Sequence, residues 1–323
     1  MKMKFNLFSN KNIVCIGGGN AMPKTVLRGL KNKNVNLTVV SAVLDSGGSS
    51  GKLRKEYDII SPGDLRRAFL ELCNLPEEEK ELLDFRFPKG ELSGHNLGNL
   101  FFTASYLKNK KYRKIFKKMN SRLIGNHKIL PSTISKSDLV AVLENGEEIV
   151  GEANIDVPKH NSKLRIKKLF LNPPVGACPQ TLRRIKNADA IIIGPGDIFS
   201  SLMQVLLVDG IIDAIKNSKA KKIYITNLMT KDGESNNFSV KDFVFEIENC
   251  LDSKVDYIIY NNNMASQQIV DDYRKNNPQF LEMVDFSSVK DDDRYIGSDL
   301  LGENGIVHSP EKLAQIILKI CKQ

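Results

Sequence analysis

The chain has 323 residues, 41% of them hydrophobic, with no tryptophan. That is enough for one large or two ordinary domains around an aliphatic core. Lysine and arginine number 47 against 38 acids, a net charge of +9, which favours anionic ligands or surfaces and says nothing of fold. Cys15, Cys73, Cys178, Cys250 and Cys321 are odd in number and far apart, without a C-x-x-C pair. This excludes a disulfide framework or zinc site as a sequence reading and suits a reducing compartment.

The N-terminal "MKMKFNLFSNK" is basic but has no long apolar core or small-residue cleavage site. No stretch approaches the roughly 20 apolar residues of a membrane span, so a soluble cytoplasmic protein is expected. In chain order, "NIVCIGGGN" predicts a buried strand ending in glycines. "MPKTVLRGLK" predicts a helix with Pro23 in its first turn, and "NLTVVSAV" a second strand. Strand, helix, strand in this span is a βαβ unit and implies a parallel sheet. "LDSGGSSGKLR" follows, and "SPGDLRRAF" resembles a capping box with Ser61 as N-cap, Pro62 first in the helix and Asp64 three residues on.

The run "KNKKYRKIFKK" carries seven bases and no acid over residues 108–118. It suits a solvated helix face, or contact with an acidic surface or nucleic acid; no nucleic-acid-binding motif supports the last, so nucleic acid is not expected as a partner. "DLVAVLENGEEIVGEA" alternates around Asn145-Gly146, a hairpin signal, and "LRIKKLFLN" predicts a further strand. A mostly antiparallel excursion is therefore placed at about 121–172. The βα grammar then returns: "ADAIIIGPGD" and "KKIYITN" as strands around the helical "FSSLMQVLLVDGIIDAIKNS", then "VDYIIYNNN". In the last helix Ser309 caps, Pro310 fits the first turn, and Leu313, Ile316, Ile317 and Ile320 form an apolar stripe. The expected fold is α/β: one Rossmann-like domain over 1–323, a mostly parallel sheet with helices on both faces and an antiparallel insert.

Ligands of such sheets sit beyond the carboxyl ends of the strands, and the unusual residues fall there. Gly17, Gly18, Gly19 and Asn20 follow the first strand, but Met22 stands where a dinucleotide fingerprint has its third glycine. A nicotinamide oxidoreductase is thereby disfavoured, as it is by the distance from Gly17 to Asp45. Gly47, Gly48 and Gly51 permit turns of either hand, Ser49 and Ser50 add hydroxyls, and Arg54 adds charge, an arrangement suited to an anion nest holding a diphosphate. Asp45 and Asp64 are the carboxylates that can share a magnesium ion. Ser93, Gly94, His95, Asn96 and Asn99 form a polar segment suited to a base or sugar edge. Gly194, Pro195 and Gly196, with Asn227, Thr230 and Glu234, complete the expected rim.

These motifs, "GGGNAMPKTVLRGLK", "LDSGGSSGKLR", "SPGDLRRAF", "SGHNLGNLF", "GPGDIFSSL" and "TNLMTKDGES", occur in the order seen in YvcK-like proteins. Those proteins form the gluconeogenesis-factor branch of the CofD-like (2-phospho-L-lactate transferase) superfamily, and the chain resembles them from about residue 12 to its last helix. The resemblance implies a bacterial cytoplasmic protein that binds a nucleotide sugar such as UDP-N-acetylglucosamine or UDP-glucose. It also implies a link to cell shape, cell-wall precursor supply and gluconeogenic growth, with no established reaction. Protein partners in cell-wall regulation and a homo-oligomer are compatible with it. The transferase branch implies instead a magnesium-assisted transfer of a phospholactate-type group from an activated guanosine donor to a deazaflavin alcohol. The sequence departs from the branch's pattern at Asn20-Ala21, at Ser46 where a second aspartate is usual, at "GPGDIFSS", and at Val307, where an arginine usually precedes the histidine, here His308. The loss of an acid at Ser46 predicts nucleotide binding with little magnesium dependence.

Overall fold

The computed structural model describes residues 10–289, 292–303 and 305–322. The basic N-terminal stretch lies largely outside them. Seven parallel strands form the central sheet. In chain order they are β1 (Lys11–Gly17), β2 (Val35–Ser41), β3 (Lys128–Pro131), β7 (Ala190–Ile193), β8 (Lys221–Ile225), β10 (Tyr257–Asn261) and β12 (Tyr295–Ser298). Most of them read as continuous aliphatic runs because helices cover the sheet; β7 is buried along its whole length. The spatial order is β12-β10-β8-β7-β1-β2-β3. From β1 the chain winds outward through β2 to β3, and from β7 it winds the other way. The reversal lies between β1 and β7, which pair Ile13 with Ala190 and Ile16 with Ile193. Crossovers leaving these two strands diverge and open a crevice at their carboxyl ends.

Helices pack around the sheet, among them α1 (Arg28–Leu30), α2 (Gly48–Tyr57), α3 (Gly63–Leu72), α4 (Glu77–Asp84), α5 (Leu97–Asn109) and α6 (Tyr112–Asn120). The segments leaving β1 and β7 both open as π-helical turns, Pro23–Leu27 and Ile198–Met203. Such widened turns are rare and concentrate at functional sites. The long helix expected after β7 is also broken, because Gly210 takes a left-handed φ of 89°.

The antiparallel insert starts later than the sequence suggests. β3 is a strand of the main sheet, parallel to β2. The excursion proper is β4 (Asp138–Leu143), β5 (Glu148–Val150) and β6 (Ile166–Asn172), with α7 (Glu152–Asp156) between the last two. Leu139, Ala141 and Leu171 of this insert share the main apolar core. In the C-terminal helix, Pro310–Lys322, the Ser309 hydroxyl accepts from the Lys312 N–H at 3.3 Å, and Leu313, Ile317 and Ile320 are buried as the stripe requires. No helix among the described residues is long and apolar enough to cross a membrane.

Candidate functional site

A cleft of about 1170 Å³ opens over the β1–β7 crevice. Its floor is the turn after β1. Gly18 packs so tightly there that a Cβ would stand 2.3 Å from Asp64 Oδ2 and 2.9 Å from the Ala42 methyl. Gly19 has a left-handed φ of 66°, and its N–H donates to Asp64 Oδ1 at 3.0 Å. Asp64 comes from the first turn of α3 and also accepts from Arg67 Nε at 3.1 Å. The expected capping box is absent: Pro62 precedes α3 without a side-chain cap, and the buried Ser61 hydroxyl has no partner. Asp64 faces the β1 turn instead, where it holds the Gly19 N–H.

The glycine-serine stretch is a helix, not a nest. Asp45 Oδ1 accepts from the Gly47 N–H at 2.8 Å, and α2 starts at Gly48, whose φ is 47°. Gly51 lies inside α2, where a Cβ would meet the Ser46 carbonyl oxygen at 1.9 Å. Gly47, Gly48, Ser49 and Ser50 line the cleft; Gly51 and Arg54 do not. The Arg54 guanidinium instead reaches the Leu44 carbonyl at 3.3 Å, the Ser137 carbonyl and the Asp138 carboxylate at 2.9 Å, tying α2 to the insert.

The "SGHNLGN" segment contributes one side chain, Asn99, to the cleft. Ser93 and Gly94 are in a turn behind it, and Asn96 is the N-cap of α5, accepting from the Asn99 N–H at 3.2 Å. His95 Nδ1 pairs with the Ser49 hydroxyl at 3.2 Å. This is not an activated nucleophile. Ser49 Oγ also accepts from the Asn96 N–H at 3.2 Å and the Asn99 amide at 3.3 Å, which occupies both lone pairs. The group staples the start of α2 to the start of α5, and it leaves Asn99 Oδ1 buried without a protein partner.

The opposite wall follows β7 and β8. Pro195, Gly196 and Asn227 line it, and Asn227 Oδ1 accepts from the Gly196 N–H at 3.2 Å. Gly17 and Gly194 lie beneath the lining as strand-end turn residues. Thr230 is used within the small sheet of Met229–Lys231 and Phe280–Met283, where its hydroxyl accepts from the Glu282 N–H at 3.1 Å. Glu234 is also structural: its Oε2 accepts the N–H groups of Phe199 and Ser200, both at 3.0 Å, at the head of the π-helical turn.

Several cleft residues lie outside the expected set: Lys231 and Asp197 fall within "TNLMTKDGES" and "GPGDIFSSL" without standing out there, and Asp156 has no motif around it. Lys231 Nζ contacts Asp197 Oδ2 at 2.8 Å, Glu234 Oε1 at 3.0 Å and Asp156. Burial opposes the lysine's charge, but these carboxylates outweigh it and raise its pKa; burial raises Asp197 to about 6. The three carboxylates have metal-like spacing, yet the lysine already occupies their centre. His308 is buried at the rim, its pKa lowered by burial to about 4, with Nε2 unpartnered. As a neutral imidazole bonded to the Thr226 backbone, it keeps one ring nitrogen for a ligand.

Glu152, at the start of α7, restores the acid missing at Ser46. The Ser46 N–H donates to Glu152 Oε2 at 3.3 Å, and the Ser46 hydroxyl accepts from the Ala153 N–H at 3.0 Å. Burial and then the neighbouring Asp64 raise Asp45, while burial and repulsion from Asp45, Asp156 and Asp64 lift Glu152 to about 9. Between its ordinary value of 4.5 and about 9 the folded chain keeps a proton that the unfolded chain releases. Stability tied to Glu152 therefore falls as pH rises through this window, by at most about 1.4 kcal/mol per pH unit. Urea denaturation at pH 6 and 8.5 should show Glu152→Gln gaining on the wild type as pH rises; parallel curves would show that Glu152 carries no raised pKa.

Residues 13–300 match the family model described as 2-phospho-L-lactate transferase CofD. The chain belongs to the CofD family. A Thermotoga maritima protein provisionally named a gluconeogenesis factor is 36% identical over 319 residues, covering 96% of this chain and 99% of that one. The gluconeogenesis factor of Listeria innocua is 34% identical, covering 95% and 94%. A crystal structure of a UPF0052 family member from Bacillus halodurans matches with a TM-score of 0.87 at 32% identity, covering 96% of this chain and all of that one. These relatives place the chain in the YvcK-like, gluconeogenesis-factor part of the family.

Proposed function

We propose that this protein is a nucleotide-sugar-binding regulator whose ligand is of the UDP-N-acetylglucosamine or UDP-glucose class. In this reading it links that ligand to cell-wall precursor supply, cell shape and gluconeogenic growth. The observation that carries the reading is the cleft itself. Its volume of about 1170 Å³ lies just above the usual range for small-molecule sites and suits an extended two-part ligand better than a lone phosphate. Phosphates fit between the Gly18–Asn20 turn and the first turn of α2, where Lys24 and Arg67 supply positive charge. Asn99 Oδ1 and His308 Nε2 are unpartnered groups suited to a base or sugar edge. The Ser49–His95 pair beside the cleft has no free lone pair for attack, which supports binding without turnover. The names of the relatives support the metabolic link.

A second reading, a magnesium-assisted transferase of the CofD type, is favoured by one observation. Asp45, Asp64 and Glu152 crowd one corner, where burial and the neighbouring carboxylates raise Asp45 and Glu152, and oxygen ligands of this kind suit magnesium. Bound there, the ion would neutralise charge on a transferring group. Arg67 already offsets Asp64, so the corner does not require a metal. Titration calorimetry with UDP-N-acetylglucosamine, UDP-glucose and GTP, each with magnesium and with chelator, separates the two. The regulator reading expects a UDP-sugar to bind in both conditions. Binding confined to guanosine nucleotides, or lost on chelation, overturns it in favour of the transferase.

A further inference from the structure

A second concavity, of about 410 Å³, lies between α3, α5 and α6. Its floor is apolar: Phe69 and Leu70 from α3, Phe102 from α5, and Ile115 and Met119 from α6. Phe101 stands on its lip with 56% of its surface exposed, and Leu82 and Phe85, at and just beyond the end of α4, are 58% and 46% exposed. The rim is cationic. Lys108, Lys114, Lys118 and Arg122 line it, none makes an ion pair among the described residues, and no carboxylate joins them in the lining. The three lysines belong to the basic run singled out in the sequence, and the proposed ligand reading does not use it.

We propose that this groove docks an acidic amphipathic helix of a partner protein. An apolar trough between helices takes side chains spaced three or four residues apart from one face of a helix. The unpaired cations then meet acids flanking that face, which fixes orientation and speeds encounter. Most of the apolar lining is sunk in the trough floor, which suits an inserted helix face better than a lipid surface, where apolar tips must protrude. Four rim cations also exceed what the single carboxylate of a fatty acid would satisfy. Arg66 lines both this groove and the ligand cleft, so a docked helix touches the cleft's wall.

The test uses the full chain and three fluorescent helical peptides. One carries leucine at every third or fourth position and glutamate elsewhere. The second has the same residues scrambled, and the third has lysine in place of glutamate. The acidic amphipathic peptide should bind at least about tenfold tighter than the scrambled one, with a Kd in the micromolar range, and weaken with salt. Phe101→Glu, and separately Lys114→Glu with Lys118→Glu, should each lose at least tenfold while keeping the wild-type melting temperature, since all three side chains are exposed. Equal binding of the scrambled peptide, or no binding by any, would overturn the proposal. So would preference for anionic phosphatidylserine vesicles or single-stranded DNA, or a change in sedimentation showing that Phe101→Glu breaks a dimer.

Discussion

Lys231→Met is expected to lose about 3 kcal/mol of folding stability, because it leaves the buried Glu234 and the half-buried Asp156 and Asp197 without their counter-ion. Lys231 is 3% exposed, and Asp197 and Glu234 lie at 2.8 and 3.0 Å from its ammonium. The substituting thioether fills much of the same space, so the loss comes from charge rather than from a cavity. Two consequences set this apart from ordinary core damage. The carboxylate oxygens of Asp156, Asp197 and Glu234 lie within 4.8 Å of one another, so the vacated centre has the donor set of a divalent-cation site. Calcium or magnesium should stabilise the variant and leave the wild type unmoved. Lowering the pH towards 5 should also narrow the gap, because Asp197 already titrates near 6 beside the lysine and loses that support in the variant. Urea midpoints at pH 7.5 and 5.5, with calcium and with chelator, provide the measurement. A variant as stable as the wild type at pH 7.5 would show the network to be dispensable.

The same network shows why part of the site was illegible in the sequence. Asp156 reaches Lys231, and Glu152 reaches Ser46 beside Asp45, only because the insert folds back over the crevice, and no spacing along the chain announces that. The strands were legible because burial on both faces writes itself as an aliphatic run, as at Ile191, Ile192 and Ile193. β3 was misplaced because four residues after two helices carry too little pattern to join it to the βα grammar. The stretch Gly47 to Gly51 looked like a loop because glycine and serine are poor helix formers. Contacts override that preference: Asp45 holds Gly47, Gly51 lets the chain close against the Ser46 carbonyl, and Ser49 and Ser50 bond to the start of α5. Once α2 is a helix, Arg54 sits one turn beyond Ser50, about 6 Å along the axis, which carries it past the cleft. His95 was drawn into the site by its polar neighbours, yet hydrogen bonding to Ser49 accounts for it.

Gly18→Ala is expected to cost at least about 100-fold in affinity for the nucleotide sugar, near 2.7 kcal/mol of binding. The added methyl would sit 2.3 Å from Asp64 Oδ2 and 2.9 Å from the Ala42 methyl, so something must move. Ala42 is held by the sheet, through its N–H donating to the Gly17 carbonyl at 3.4 Å. Asp64 is the group free to yield. If it swings aside it releases the Gly19 N–H and Arg67, the contacts that shape the turn on which the proposed phosphates rest. Overpacking of this kind also costs about 1–3 kcal/mol of folding stability, a loss a chain with this core should survive. The contrast is Gly48→Ala. A Cβ there meets nothing within 4 Å, and the change stores only the strain of a φ of 47°. Between Gly18 and Gly48, Gly48 should therefore be the tolerant one, with affinity reduced less than tenfold, a penalty of about 1 kcal/mol. Calorimetry on both variants, each shown to be folded by circular dichroism, decides the order. A folded Gly18→Ala protein that binds like the wild type would detach the Asp64–Gly19 anchor from ligand recognition. A larger loss at Gly48 would return the phosphates to the first turn of α2 alone.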